Sequence, residues 1–216
     1  RDAQMNLSKY LYYHHDGITI YHGDCRDILP HLEPVDLVLT DPPWNLDFFQ
    51  DDKKEWPEYV RWLSEIKSQL EGMAKVVWIF QSTKAIAYVS PIFEGWGCFA
   101  SIKNFCQMVP TRVPNAWDIA FFNSSDGYIG NGRNWHLGNN ANIKQSKTGH
   151  PTSRPLDTIK YIVSLYNLST ILDPFMGSGT TLVAAKQLRR KAIGIEIEEK
   201  YCEIAKRRLA QEVLDL

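Results

Sequence analysis

Thr170-Ile171-Leu172-Asp173-Pro174-Phe175-Met176-Gly177-Ser178-Gly179-Thr180-Thr181 is the stretch that decides the fold. Its opening residues are β-branched or aliphatic and read as a buried strand, ended by an acid, a proline and two glycines. The segment from Thr180 to Leu188 then reads as a helix. A strand that turns through glycines into a helix gathers backbone N–H groups at the helix start, where an anion is held. No Lys-Ser/Thr follows the last glycine and the spacing is not GxGxxG, so neither a Walker A loop nor a pyrophosphate site is specified. A carboxylate, such as that of an amino-acid moiety, is the alternative occupant. About 20 residues on, Ile193-Gly194-Ile195-Glu196 closes the next strand with an acid, where a nucleotide-binding α/β sheet takes the ribose hydroxyls. Tight strand–helix packing would also account for the glycines, and a solvated acid for Glu196. The whole order of strand, glycines, helix, strand and acid favours a nucleoside site.

A second acid-ended strand stands earlier in the chain. Val35-Asp36-Leu37-Val38-Leu39-Thr40 reads as a buried strand and runs into Asp41-Pro42-Pro43-Trp44. The two prolines remove backbone donors and force a stiff, non-helical exit, while their carbonyls stay as acceptors. With the Asp41 carboxylate and the flat face of Trp44, these carbonyls suit a planar heterocycle bearing an exocyclic amino group. A strand-ending turn with a surface Trp is the plainer reading of the same four residues.

Around these two motifs the chain alternates strand and helix. Strands are expected at Ile18–Tyr21, Val76–Phe80, Phe99–Met108, Asp118–Phe122, Thr170–Leu172 and Ala192–Ile197. Helices are expected at Arg26–Leu32, Pro57–Leu70, Thr83–Phe93, Pro155–Leu165, Thr180–Leu188 and Lys200–Leu214. The segment from Asn123 to Lys147 is rich in Asn, Gly and Ser, has no hydrophobic period and reads as loop. Such alternation is that of an α/β fold, a mostly parallel sheet with helices on both faces.

The chain has 216 residues, with 44% hydrophobic and 23% charged, as expected for a single globular domain, residues 1–216. No apolar run reaches the ~18 residues of a membrane span, and no charged-then-apolar leader opens the sequence. The four cysteines, Cys25, Cys98, Cys106 and Cys202, form no CxxC pair, so reduced intracellular thiols are expected. Net charge is −1, unevenly spread. The loop after Trp44 is acidic, whereas Lys103 to Lys160 carries Arg112, Arg133, Lys144, Lys147 and Arg154, compatible with a local phosphate footprint or with a solvated loop.

Taken together, Gly23-Asp24-Cys25, Asp41-Pro42-Pro43-Trp44, His150-Pro151-Thr152-Ser153-Arg154-Pro155, Asp173 to Thr180, and Gly194-Ile195-Glu196 with Tyr201 and Ala205 beyond resemble the S-adenosylmethionine-dependent DNA amino-methyltransferases. The order is that of the permuted type, with the catalytic motif ahead of the cofactor motif. The resemblance implies a Rossmann-like, circularly permuted methyltransferase fold with a mostly parallel seven-stranded sheet and helices on both faces. It implies S-adenosyl-L-methionine as cofactor, double-stranded DNA as partner, no metal, and a cytoplasmic protein of a bacterium or phage. By the same resemblance Asp24, with Cys25, meets the cofactor's adenine, Glu196 holds its ribose, and Phe175 and Ile197 flank it. Asp173, Gly177, Ser178, Gly179 and Thr180 then approach the methionine part, with His150, Pro151, Thr152 and Arg154 packed at the methionine end. The family commonly has Lys where Arg154 stands, and Arg keeps the charge but not the geometry.

The mechanism implied has Asp41 and the Pro42 carbonyl accepting the two N–H bonds of an aromatic amine, and Pro43 and Trp44 completing the pocket. The base must leave the duplex to reach them, stacking on Trp44. Arg133, Asn134, Lys144 and Lys147, within a candidate target-recognition segment over 123–147, are expected to meet DNA. Asp before the prolines accompanies N6 of adenine in this family, and Ser accompanies N4 of cytosine, so adenine is expected. Alternatives are cytosine N4, an RNA adenosine methyltransferase, which the Trp after the prolines resembles, or a catalytically silent binding subunit. So short a recognition segment implies a short or degenerate target, or recognition shared across a homodimer.

Overall fold

The computed structural model describes residues 7–45, 54–103, 117–123, 132–138 and 154–211. Among the described residues nine strands form one sheet: β1 (Leu11–His15), β2 (Ile18–His22), β3 (Leu37–Thr40), β4 (Val76–Gln81), β5 (Gly97–Lys103), β6 (Trp117–Phe122), β7 (Trp135–Gly138), β8 (Thr170–Asp173) and β9 (Lys191–Glu196). Their spatial order is β1-β2-β9-β8-β3-β4-β6-β5-β7. The centre, β2-β9-β8-β3-β4, is parallel throughout. β6 runs antiparallel to both β4 and β5, β1 is antiparallel to β2, and β7 joins the far edge parallel to β5.

Alternation along the buried strands sorts side chains onto two faces. Leu37, Leu39, Trp78 and Phe80 point into one core, packed with residues of α4 (Leu156–Ser164), α5 (Thr180–Gln187) and α6 (Glu199–Ala210). Val38, Val77 and Ile79 point into the other, where α1 (Cys25–Ile28), α2 (Trp56–Met73) and α3 (Ile86–Val89) pack. On α2 the buried residues Tyr59, Leu63, Ile66, Leu70 and Met73 recur every three or four positions, as one face of a helix requires, and Pro57 sits in its first turn. The expected α/β sheet with helices on both faces is therefore the observed one.

The sheet carries two strands beyond the expected number. β1 was not legible because none of its five residues is buried, leaving no apolar face to read. β7 lies inside the stretch expected to be loop, and three of its four residues are not buried. The expected helix over Thr83–Phe93 is three short pieces, two of them 3-10 turns, broken where Pro91 cannot continue an α-helical ladder. The expected strand Phe99–Met108 is described only as far as Lys103.

β3 is followed by β4 on one side, whereas β8 is followed by β9 on the other, so chain direction across the sheet reverses between β8 and β3. Open α/β sheets bind ligands outside the carboxyl ends of strands at such a switch point. Asp173 ends β8, Thr40 ends β3 with Asp41 next, and Glu196 ends β9.

Candidate active site

A cavity of about 550 Å³ opens over that switch point, within the size range of small-molecule sites. It brings together Asp24, Cys25, Asp41, Pro42, Pro43, Trp44, Arg154, Asp173, Phe175, Gly177, Ser178, Thr180, Glu196 and Ile197 of the expected set. His150, Pro151, Thr152, Lys144 and Lys147 lie outside the described residues. Gly179, Arg133 and Asn134 do not line the cavity.

At the β2–β9 end the cavity is shaped by backbone. Gly177 (φ 50°) and Gly179 (φ 77°) take left-handed conformations that favour glycine, and the turn they make carries the chain from β8 into α5. Glu196 receives the Gly177 N–H at 3.0 Å on one oxygen and the Glu198 N–H at 2.8 Å on the other. Burial raises its pKa above the ordinary carboxylate value, although those N–H groups pull the other way. A carboxylate has about four acceptor positions, so Glu196 keeps room for hydroxyl donors from the cavity. Gly179 serves the turn rather than the cavity, with its backbone close against Ala205 of α6. Arg208 of α6 reinforces the turn from behind, donating to the Ser178 carbonyl at 2.6 Å, the Ser178 hydroxyl at 3.0 Å and the Thr180 hydroxyl at 3.2 Å.

Asp24 caps α1 by accepting from the Arg26 backbone N–H at 2.9 Å, and it is clasped by the Arg26 guanidinium. That guanidinium is the main reason its pKa is lowered. Arg26, which sequence reading left unassigned, therefore stands at the cavity wall beside the group expected to meet an adenine. Cys25 is buried, which pushes its thiol up to about 12, so it contributes shape rather than reactivity. Ile197 sits largely exposed at the rim, and Phe175 lies edge-on to Trp62 with ring centroids 6.0 Å apart.

Between the two ends, Asp173 accepts from the Thr40 hydroxyl at 2.8 Å and the Phe175 N–H at 3.2 Å, tying β8 to β3. Burial lifts its pKa to about 7, against the hydrogen bonds from Thr181 and Thr40.

At the β3–β4 end the cavity is shaped by side chains. The Asp41 carboxylate receives Arg154 Nε on Oδ2 at 2.8 Å, and both Arg154 Nη2 at 3.1 Å and Trp44 Nε1 at 2.9 Å on Oδ1. Arg154 also reaches Asp118 of β6 at 2.5 Å. Its guanidinium lies over the rings of Trp44 at 4.5 Å and Phe80 at 4.6 Å. Burial by itself would lower the Arg154 pKa, but the carboxylates of Asp41 and Asp118 outweigh it and the net direction is upward. Arg154 thus packs against Asp41 and Trp44 of the proline motif. The Pro43 carbonyl accepts from the Tyr59 hydroxyl at 2.8 Å, which pins the proline turn to α2. Asp118 and Tyr59 were missed because neither belongs to a local motif. Only the three-dimensional pairing reveals them.

Arg133 and Asn134 are exposed on the segment leading into β7, with the Arg133 guanidinium 5.0 Å from the Trp135 ring centroid. Among the described residues no helix is long and apolar enough to cross a membrane, and no group of three or more His, Cys, Asp or Glu side chains could hold a metal ion.

Asp41, after β3, and Glu196, at the end of β9, stand two strands apart along the sheet, about 10 Å at ordinary strand spacing. The family profile described as DNA methylase (N6_N4_Mtase) matches residues 115–207. The type II methyltransferase M.BglII of Bacillus subtilis is 30% identical over 245 residues, covering 86% of this chain and 67% of its own length. M.HinfI of Haemophilus influenzae, also a type II methyltransferase, is 29% identical, covering 89% and 68%. Among solved structures, M1.HpyAVI in its complex with SAM gives a TM-score of 0.67 at 27% identity, over 90% of this chain and 100% of the other. The cytosine-N4-specific PvuII DNA methyltransferase gives 0.72 at 18% identity over 92% and 88%, a likeness of fold. The chain belongs to the N6/N4 DNA methylase family. It is a DNA methyltransferase that uses S-adenosylmethionine.

The residues present fit that cofactor. Glu196 retains acceptor capacity that would suit ribose hydroxyls, the Gly177–Thr180 turn offers close backbone approach, and one cavity is lined by both Asp24 and Asp41.

Proposed function

We propose that this methyltransferase acts on N6 of adenine in double-stranded DNA, with Asp41 and the Pro42 carbonyl as acceptors for the target amine. The observation that carries the reading is a buried-strand carboxylate, Asp41, held in the same cavity as Glu196. Adenine presents an exocyclic amine whose lone pair is delocalised into the ring, a poor nucleophile. Accepting its two N–H bonds favours a more tetrahedral nitrogen with the lone pair directed into the cavity. S-adenosylmethionine supplies a methyl group on a positively charged sulfur, already a good leaving group. The protein's part is therefore position and electrostatics. Glu196 holds ribose hydroxyls, and Gly177 to Thr180 lie along the methionine part. Tyr59 keeps the Pro42–Pro43 turn from shifting through its hydrogen bond to Pro43.

A base inside a duplex cannot reach Asp41, so it is flipped out and stacked on the face of Trp44 that Arg154 does not cover. Arg133 and Asn134 meet the flanking DNA, together with Lys144 and Lys147. The whole chain, 1–216, acts as one catalytic domain, and its short recognition segment over 123–147 reads a short or degenerate target or shares the reading across a homodimer. Localisation is cytoplasmic, in a bacterial cell or a phage-infected one.

Incubation with S-adenosylmethionine and unmethylated genomic DNA, followed by digestion to nucleosides and mass spectrometry, tests this reading. N6-methyladenine that disappears with Asp41→Ala is the expected result. N4-methylcytosine would keep the cofactor roles and overturn the choice of base. Methylated RNA with untouched DNA would overturn the choice of nucleic acid, and cofactor binding with no transfer to either would mark a silent subunit.

A further inference from the structure

The Asp41 carboxylate is already crowded with donors. A carboxylate offers about four lone-pair positions, two on each oxygen. Oδ1 receives two donors, Arg154 Nη2 and Trp44 Nε1, and Oδ2 receives one, Arg154 Nε. Among the described residues, one position on Oδ2 is left.

The donor that does most of this is deeply placed. Arg154 has 8% of its side chain exposed, against 24% for Asp41 and 2% for Asp118. Burying a guanidinium costs several kcal/mol unless it is paired and its N–H groups are satisfied. Asp118 supplies that compensation from β6, the strand paired with β4. The guanidinium also lies over the rings of Trp44 and Phe80. A planar fork on a carboxylate fixes both its distance and its rotation, which a single ammonium cannot do.

Building on the amine-acceptor role proposed for Asp41, we propose that Arg154, backed by Asp118, is the positioning residue of this active site. It locks the Asp41 carboxylate in one rotation and blocks Oδ1, so that the target amine is accepted by Oδ2 alone. It also sets the tilt of Trp44, against which the base stacks. Arg154 touches no reacting atom. Its effect runs through Asp41 and Trp44.

Single-turnover methylation at saturating cofactor and DNA separates positioning from folding. Arg154→Met is expected to lower the rate about 100-fold, as a misplacement near 1 Å does. Its affinities for S-adenosylmethionine and DNA stay within about 3-fold of wild type, and its melting curve remains cooperative. Arg154→Lys restores one donor but not the fork and recovers part of the rate, to about 10-fold below wild type. Asp118→Asn, which keeps the shape but removes the backing charge, falls between wild type and Arg154→Met. Should Arg154→Met fail to fold, the lysine variant decides: a wild-type rate in Arg154→Lys overturns the proposal. A faster Arg154→Met also overturns it, since Arg154 would then be an obstacle to the amine. Nitrogen-15 NMR of the guanidinium gives a readout apart from activity. The Arg154 Nε–H signal is expected to be protected from exchange in wild type and to lose protection in Asp41→Ala. An unprotected signal in wild type sinks the pairing, whereas a protected signal in an enzyme that leaves DNA unmethylated sinks only the reading of its substrate.

Discussion

The two ends of the cavity are built from different materials. At the β2–β9 end, backbone sets the geometry: left-handed glycines turn the chain from β8 to α5, and peptide N–H groups hold the Glu196 carboxylate. At the β3–β4 end, an ion-paired trio of side chains does so, with Arg154 drawn in 113 positions along the chain from Asp41. Backbone geometry follows from short stretches of sequence and tolerates little side-chain variety. A side-chain network needs only that the right groups arrive at one point, and it is lost when any member leaves. The first end is thus suited to hold a cofactor that never changes, and the second to hold a group that must be aimed.

The two ends are expected to fail separately. Asp41→Ala is expected to lower single-turnover methyl transfer by about 1,000-fold or more, about 4 kcal/mol of transition-state stabilisation. Cofactor affinity by isothermal titration should change by less than about 3-fold. A joint loss of cofactor binding would break the division. Gly179→Ala works from the other side. The added methyl carbon would stand 2.7 Å from Ala205 Cβ on a residue at φ 77°. It should destabilise the fold by about 1–3 kcal/mol and weaken cofactor binding with it, as read by thermal denaturation with and without cofactor. Unchanged melting and affinity would mean the turn adapts, and that backbone does not set this end.

Glu196→Gln sharpens the comparison at smaller scale. It is expected to weaken cofactor binding about 10-fold, near 1.4 kcal/mol, with the rate at saturating cofactor held within about 3-fold. A lowered saturating rate with unchanged affinity would place Glu196 with the catalytic end instead.

A stability effect, not a binding one, is expected at Asp173, between the two ends. Burial raises the Asp173 pKa to about 7, above its value of about 3.9 in an unfolded chain. Between those values the folded form holds a proton that the unfolded form has released, so stability falls as pH rises from about 4 to 7. Asp173→Asn removes this contribution. Its melting temperature should decline less over that window than the wild type's. Parallel pH profiles of the two proteins would show that Asp173 is not the group responsible.

Several features were legible in the sequence because they are local. Strands β3, β4, β8 and β9 announce themselves as apolar runs, and Asp41 and Glu196 follow them directly. The face of α2 is written in a spacing that no strand would produce. β1 and β7 escaped because edge strands bury too little to impose a pattern. Asp118 entered the sequence reading only as one acid in a basic stretch, and Arg26 as the start of a short helix. Both stand at the site because of what folds against them. For Arg154 the sequence told of a charge beside a proline and of a departure from lysine, but not of its partners.

By itself, then, the sequence determined the α/β alternation, the acid at the end of each ligand-facing strand and the glycine turn, because each depends on neighbours a few residues apart. Only the tertiary structure decided how the Asp41 carboxylate is held. Its rotation depends on a guanidinium from the segment before α4, itself backed by a counter-charge from β6, and the three meet only when the strand order places β6 beside β4 and β3 beside β8. Side-chain ion pairs across more than a hundred residues carry no periodicity, so they exist for the reader only once the sheet has formed.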